Sequence, residues 1–135
     1  MTIELAGEAD LTDIAKLDSH IPIKRLRVSV AEEFVYVLRD DVVVGILRYS
    51  LFWQTIPFLD LLYIDERYRM QGFGRRMMTK WEARMKELGH KYVMTSTQAD
   101  EEAWRFYEKL GYYRSGGFFP PEQTAEEIIY LKQLT

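Results

Sequence analysis

The chain has 135 residues, a net charge of −3 and 47% hydrophobic side chains. That length suits one compact domain over residues 1–135, and the apolar content is enough for a core, which excludes global disorder. No apolar run approaches the roughly 20 residues that cross a bilayer, there is no cysteine for a disulfide, a thiolate metal site or a thiol nucleophile, and the two histidines, His20 and His90, are too far apart in sequence to suggest a metal site.

Ile3–Ala6 reads as a short strand, and the opening residues carry neither a basic start nor an apolar signal core, so a cytoplasmic location is expected. Asp10–Leu17 follows as a helix, with Leu11, Ile14 and Leu17 on one stripe and Asp10 as its cap. Residues 21–33 are ambiguous; Pro22 and Lys24-Arg25-Leu26-Arg27 suggest a short helix and a loop. Phe34–Arg39 and Val42–Phe52 read as strands joined at Asp40-Asp41. Pro57–Ile64 is the third strand of this meander, after a turn around Trp53-Gln54-Thr55.

The period then changes. Phe73, Met77, Met78, Trp81, Met85 and Leu88 recur at helical spacing, and Gly89 suits the position after the last turn. Lys91–Ser96 returns to strand. Asp100–Leu110 is helical, with Ala103, Phe106, Tyr107 and Leu110 on one side and Gly111 as its end; Tyr112–Phe119 and Glu127–Leu134 close the chain as strands. The order β-α-β-β-β-α-β-α-β-β is an α/β arrangement, a mixed sheet of about seven strands flanked by helices.

The stretch Ile64 to Arg75 sits where a strand ends and a long helix begins. Glycines there allow a tight turn and close approach of a ligand, the first helix amides lack internal partners, and the helix dipole adds positive character. A phosphate is the natural guest, with Arg69 and Arg75 adding charge. From Arg67 to Lys91 the window carries +6, leaving −9 on the rest. A local basic zone on an acidic chain suits a small polyanion, whereas the whole-chain charge draws in no nucleic acid. Two phosphate loops do not fit: Gly74 is followed by Arg75-Arg76, not Lys-Ser/Thr, and position 77 is Met where a dinucleotide fingerprint needs glycine.

The segment resembles motif A of the GNAT acetyltransferase superfamily, Val/Ile-x4-Gln/Arg-x2-Gly-x-Gly/Ala, with Ile64, Arg69, Gly72 and Gly74 filling the defined positions. Asp100-Glu-Glu-Ala103-Trp-Arg-Phe106-Tyr107-Glu-Lys109-Leu-Gly111-Tyr112 is similar to its motif B, with Asp100 where the family often has Asn. The resemblance implies the GNAT fold, a central mixed and twisted sheet flanked by helices, and acetyl-coenzyme A as co-substrate without a metal. It implies that the amides of Met70, Gln71, Gly72, Phe73, Gly74 and Arg75 hold the pyrophosphate. It also implies that the backbone of Leu62, Tyr63 and Ile64 pairs with the pantetheine arm, where the family splays this strand from the next.

By the same resemblance Tyr107 stands near the thioester sulfur, where a phenol can donate to the leaving thiolate; an aromatic on a buried stripe is the plainer reading. Asp100 would lie near the coenzyme arm, although an ionised carboxylate cannot donate as Asn does and Asp also suits a helix cap. Asp60, an acid within an apolar strand, is the base expected to take the amine proton; the plainer reading is an ion pair, for instance with Arg48. Phe52-Trp53-Gln54 and Phe118-Phe119-Pro120-Pro121 are loop aromatics that suit an acceptor pocket, packing onto the core, or a homodimer contact. The expected acceptor is a small-molecule or peptide amine, with no nucleic acid or membrane as partner. The same fold also serves non-catalytic acyl-coenzyme A binding and protein-interaction modules.

Overall fold

The computed structural model describes residues Met1–Thr135. Seven strands form one mixed sheet in the order β1-β2-β3-β4-β5-β7-β6. They are β1 (Thr2–Leu5), β2 (Val35–Asp40), β3 (Val42–Phe52), β4 (Ile56–Ile64), β5 (Tyr92–Gln98), β6 (Tyr113–Phe118) and β7 (Glu127–Gln133). The helices are α1 (Leu11–Leu17), α2 (Ile23–Ala31), α3 (Phe73–Glu87) and α4 (Ala103–Lys109). No helix is long and apolar enough to cross a membrane. The chain divides into two compact units, one of Met1–Ser50 with Asp60–Trp81, the other of Leu51–Leu59 with Glu82–Thr135.

In the first unit, β2 lies antiparallel between β1 and β3. Asp41, at φ 63°, makes the tight β2–β3 turn. Leu11, Ile14, Leu26 and Val30 from α1 and α2 join Val35, Val37, Val43 and Ile46 in one apolar cluster. Each such side chain contributes about 1.5–3 kcal/mol when withdrawn from water. Residues 23–31 form a nine-residue helix, within the stretch where a short helix and a loop are expected. Ile23, Val28 and Val30 are β-branched and weaken the local helical preference; burial of Leu26 and Val30 one turn apart overrides it. Asp10 stands at the start of α1 but makes no side-chain cap. Its carboxylate instead accepts from the Gly7 amide at 2.9 Å and from Arg39 Nη2 at 3.0 and 3.1 Å.

Gly45 of β3 positions the end of β4. A Cβ there would stand 3.0 Å from Ile64 Cδ1 and 3.2 Å from the Tyr63 carbonyl oxygen, so only glycine lets the two strands approach this closely. In α3, Met77, Met78, Trp81 and Met85 are buried as the helical period predicts. Leu88 is not on that stripe: it follows the helix and is 51% exposed. Gly89, at φ 93°, ends the turn, and the amides of Gly89 and His90 donate to the carbonyls of Lys86 and Met85.

In the second unit, β7 lies antiparallel between β5 and β6. The parallel β4–β5 ladder consists of Phe58 opposite Met94 and Leu59 opposite Thr95. Tyr112 donates to Glu82 Oε2 at 2.7 Å and Lys132 pairs with Glu82 Oε1 at 2.7 Å. Burial and the facing Glu82 carboxylate both push the Tyr112 phenol up. Helix α4 begins at Ala103, three residues later than expected; Asp100 lies in the preceding turn, and Glu102 occupies the cap position. Ala103 is exposed, Phe106 and Leu110 are half-buried, and Tyr107 is buried.

Candidate active site

The loop from β4 to α3 is shaped by short-range hydrogen bonds. The Asp65 amide donates to the Val44 carbonyl at 2.8 Å. Its carboxylate accepts from the amide and Nε of Arg67, at 3.0 and 3.2 Å, which holds it below the usual carboxylate range. Arg69 folds back: Nε donates to the Ile64 carbonyl at 2.7 Å, and its guanidinium stands 5.4 Å from the Tyr63 ring centre. One edge of Arg69 is thus committed to the β4 end, and so is the Ile64 carbonyl.

Met70 and Gly72 both have positive φ, 62° and 82°. They turn the chain so that α3 starts with Gly72 as its cap residue, whose carbonyl accepts from the Arg76 amide at 3.1 Å. The amides of Phe73, Gly74 and Arg75 precede that first helical bond. No acidic side chain stands in the first turn to neutralise them. A Cβ on Gly72 would meet nothing within 4 Å, so the loop is open there. Free amides, the helix dipole and the exposed Arg75 and Arg76 make a cradle fit for an anion of phosphate type.

Asp60 belongs to a buried charge network in the first unit. Arg48 is 6% exposed; its Nε donates to Asp18 Oδ2 at 2.7 Å and its Nη1 stands 3.6 Å from Asp60 Oδ2. Asp18 also accepts from the His20 amide at 3.0 Å and faces His20 Nδ1 at 3.3 Å. Burial raises the pKa of Asp60, opposed by a hydrogen bond with Ser50 and by the charge of Arg48. The ion pair with Arg48 is therefore present, and Arg48 is shared between two carboxylates. The Asp60 side chain keeps 27% exposure, enough for water or a small ligand to reach it.

Tyr107 lies in the second unit and is 8% exposed. Phe106 and Tyr112 face its ring edge-on, with centres 5.2 and 5.6 Å away. Its hydroxyl shares a hydrogen bond with Thr95, and burial pushes the phenol up to about 12. Asp100 is exposed in the turn before α4. The loop aromatics are not tucked onto the core: Trp53 is 79% and Phe119 67% exposed. Phe52 packs on Trp53 and Phe58, with ring centres 4.7 and 6.2 Å apart. Trp53 and Gln54, at φ 54° and 60°, lie in the three-residue turn that joins β3 to β4.

Sequence reasoning missed Asp18, Ser50, Thr95 and Thr97. Thr97 is buried and its hydroxyl has no hydrogen-bond partner, as does the indole nitrogen of Trp81. Nothing local marks the two threonines, because β5 also carries Ser96 and Gln98.

Comparison with known proteins places this fold and cradle in an acetyltransferase family. The acetyltransferase (GNAT) family matches residues 8–112, and the chain belongs to that family. No curated protein matches it. Among solved structures, Ard1 from Thermoplasma volcanium is similar over 99% of this chain and 97% of its own, with a TM-score of 0.86 and 20% identity. The ribosomal-protein-S18-alanine N-acetyltransferase from Escherichia coli is similar over 99% of this chain and 94% of its own, with a TM-score of 0.83 and 16% identity. The protein yncA from Salmonella typhimurium, whose structure holds its cofactor acetyl-CoA, is similar over 100% of this chain and 94% of its own, with a TM-score of 0.85 and 15% identity.

Proposed function

We propose that the chain moves the acetyl group of acetyl-CoA to a primary amine. The observation that carries this reading is the cradle at the start of α3: three free amides, an acid-free first turn and an open Gly72, in a chain of the acetyltransferase family. The amides of Met70 to Arg75 would hold the pyrophosphate, with Arg75 and the free edge of Arg69 adding charge. The backbone of Leu62 and Tyr63 offers hydrogen bonds to the pantetheine arm. The Ile64 carbonyl is already taken by Arg69. Asp100 is exposed, and a carboxylate there can only accept a bond from the arm.

Bound acetyl-CoA supplies an acyl thioester; transfer forms an N–C bond as the C–S bond breaks. Asp60 takes the proton that the attacking amine must lose. Burial raises its pKa, which makes it a stronger base than an ordinary carboxylate. Tyr107 serves the leaving sulfur. Burial pushes that phenol up to about 12, well above the roughly 8.5 of a free thiol, which disfavours full proton transfer to the sulfur. Tyr107 therefore acts as a hydrogen-bond donor to the charge that builds on sulfur, with the proton remaining on the phenol. Such a bond contributes about 1.5–3 kcal/mol.

The test is an acceptor screen that follows thiol release. The panel holds short peptides with different first residues, alanine among them, lysine-containing peptides with blocked N-termini, and small amines. The chain has no cysteine, so released thiol belongs to the coenzyme alone. Amine-dependent thiol release with a matching acetylated product is expected. Tight acetyl-CoA binding with no turnover on any amine would contradict the reading.

A further inference from the structure

Thr95 occupies the end of the β4–β5 ladder, opposite Leu59, and is 1% exposed. Its hydroxyl has two partners. Oγ1 stands 3.2 Å from the Leu59 carbonyl oxygen, and it shares a hydrogen bond with the Tyr107 hydroxyl. A hydroxyl owns one hydrogen, so the two bonds cannot both be donated by Thr95. When Thr95 donates to Leu59, it can only accept from Tyr107, and the phenol proton is directed at Thr95. When Thr95 donates to Tyr107, the phenol proton is free to point elsewhere. The bond to Leu59 is the one that gives way. At 3.2 Å the bond to Leu59 lies outside the usual O–H···O range of about 2.5–3.0 Å and is weak. Donation to the phenol oxygen also favours the charge that Tyr107 shares when it donates strongly.

We propose that Thr95 is the positioning residue of Tyr107: its hydroxyl turns from the Leu59 carbonyl to the Tyr107 oxygen and so releases the phenol proton toward the sulfur. The inference rests on the reading of Tyr107 as donor to that sulfur. It explains a polar side chain in the buried middle of β5, where valine would pack equally well. No bond is made or broken in this step; one hydrogen rotates between two acceptors.

The experiment uses the full chain and coenzyme A, isotope-labelled at the carbon beside the sulfur. NMR follows ionisation of the bound thiol against pH in wild type, Tyr107→Phe, Thr95→Val, Thr95→Ser and the Tyr107→Phe/Thr95→Val pair. A donor to the thiolate lowers the thiol pKa, so its loss raises it. Tyr107→Phe should weaken thiol ionisation about tenfold, and Thr95→Val about threefold. The pair should match Tyr107→Phe alone, and Thr95→Ser should match wild type. An unchanged thiol in Thr95→Val, an additive effect in the pair, or a Thr95→Ser protein that behaves as Thr95→Val would overturn the inference while leaving Tyr107 as donor. An unchanged thiol in Tyr107→Phe would overturn the Tyr107 reading itself and Thr95 with it. Should Thr95→Val not fold, Thr95→Ala removes the same hydroxyl and carries the same expectations.

Discussion

Replacing Arg48 by methionine keeps most of its aliphatic volume and removes the charge between Asp18 and Asp60. The Asp18 side chain has no exposure, so its carboxylate cannot turn to water. Orphaning a buried charge costs about 3–5 kcal/mol. The His20 amide and ring, at 3.0 and 3.3 Å, stay in place, which puts the cost near the lower limit. For a chain of this size about 3 kcal/mol lowers Tm by roughly 10 °C. Thermal and urea denaturation at neutral pH measure it. Asp18→Asn added to Arg48→Met should recover most of the loss, because a neutral amide needs no counter-charge. A loss under about 1 kcal/mol, or no recovery in the pair, refutes the reasoning. The same variant has a kinetic signature. The Arg48 charge lowers the pKa of Asp60 against burial, so Arg48→Met raises it further. A base must be ionised, and activity falls as pH drops through its pKa; the acid limb of kcat/KM therefore moves to higher pH.

Tyr107→Phe should lower kcat about 10–100-fold with acetyl-CoA affinity little changed, as steady-state kinetics and calorimetry would show; an unchanged kcat with chemistry rate-limiting contradicts it. Gly72→Ala meets no steric obstacle but forces alanine to φ 82°, costing about 1–2 kcal/mol, and should weaken acetyl-CoA binding by calorimetry more than it lowers Tm. Thr97→Val removes a buried hydroxyl without a partner and should raise stability by about 1 kcal/mol in urea denaturation of the ligand-free chain. Between the ordinary carboxylate pKa and its raised folded value, Asp60 is ionised in the unfolded chain and protonated in the native one. Its ionisation destabilises the fold above that window and is relieved as pH falls through it. Asp60→Asn should flatten this part of the stability–pH curve.

The sheet was legible because its strands alternate or run apolar between turn residues; Val42–Phe52 matches the expected bounds and β4 starts one residue early. The cradle was legible because glycine and arginine must stand at fixed offsets from a strand end to make it. The start of α4 was not: Asp100 to Glu102 have the composition of a helix entry, but the chain turns through them before Ala103. Asp10 is an apt helix cap by residue type, yet the guanidinium of Arg39 outcompetes the helix amides for it. The Arg48 network was half visible. Asp60 announces itself as an acid in an apolar strand, whereas Asp18 lies 30 residues from Arg48 and carries no local signal. Thr95 was invisible for another reason, since threonine is at home in any strand. Only the neighbouring Tyr107 hydroxyl and Leu59 carbonyl give it a role.

Titration of the chain with acetyl-CoA in a calorimeter, at low and at high salt, tests the central claim most directly. The account predicts saturable binding to one site that weakens as salt rises, because helix amides and arginines hold the pyrophosphate, together with a higher Tm in the presence of ligand. Absence of binding at millimolar acetyl-CoA, or an affinity indifferent to salt, would contradict it.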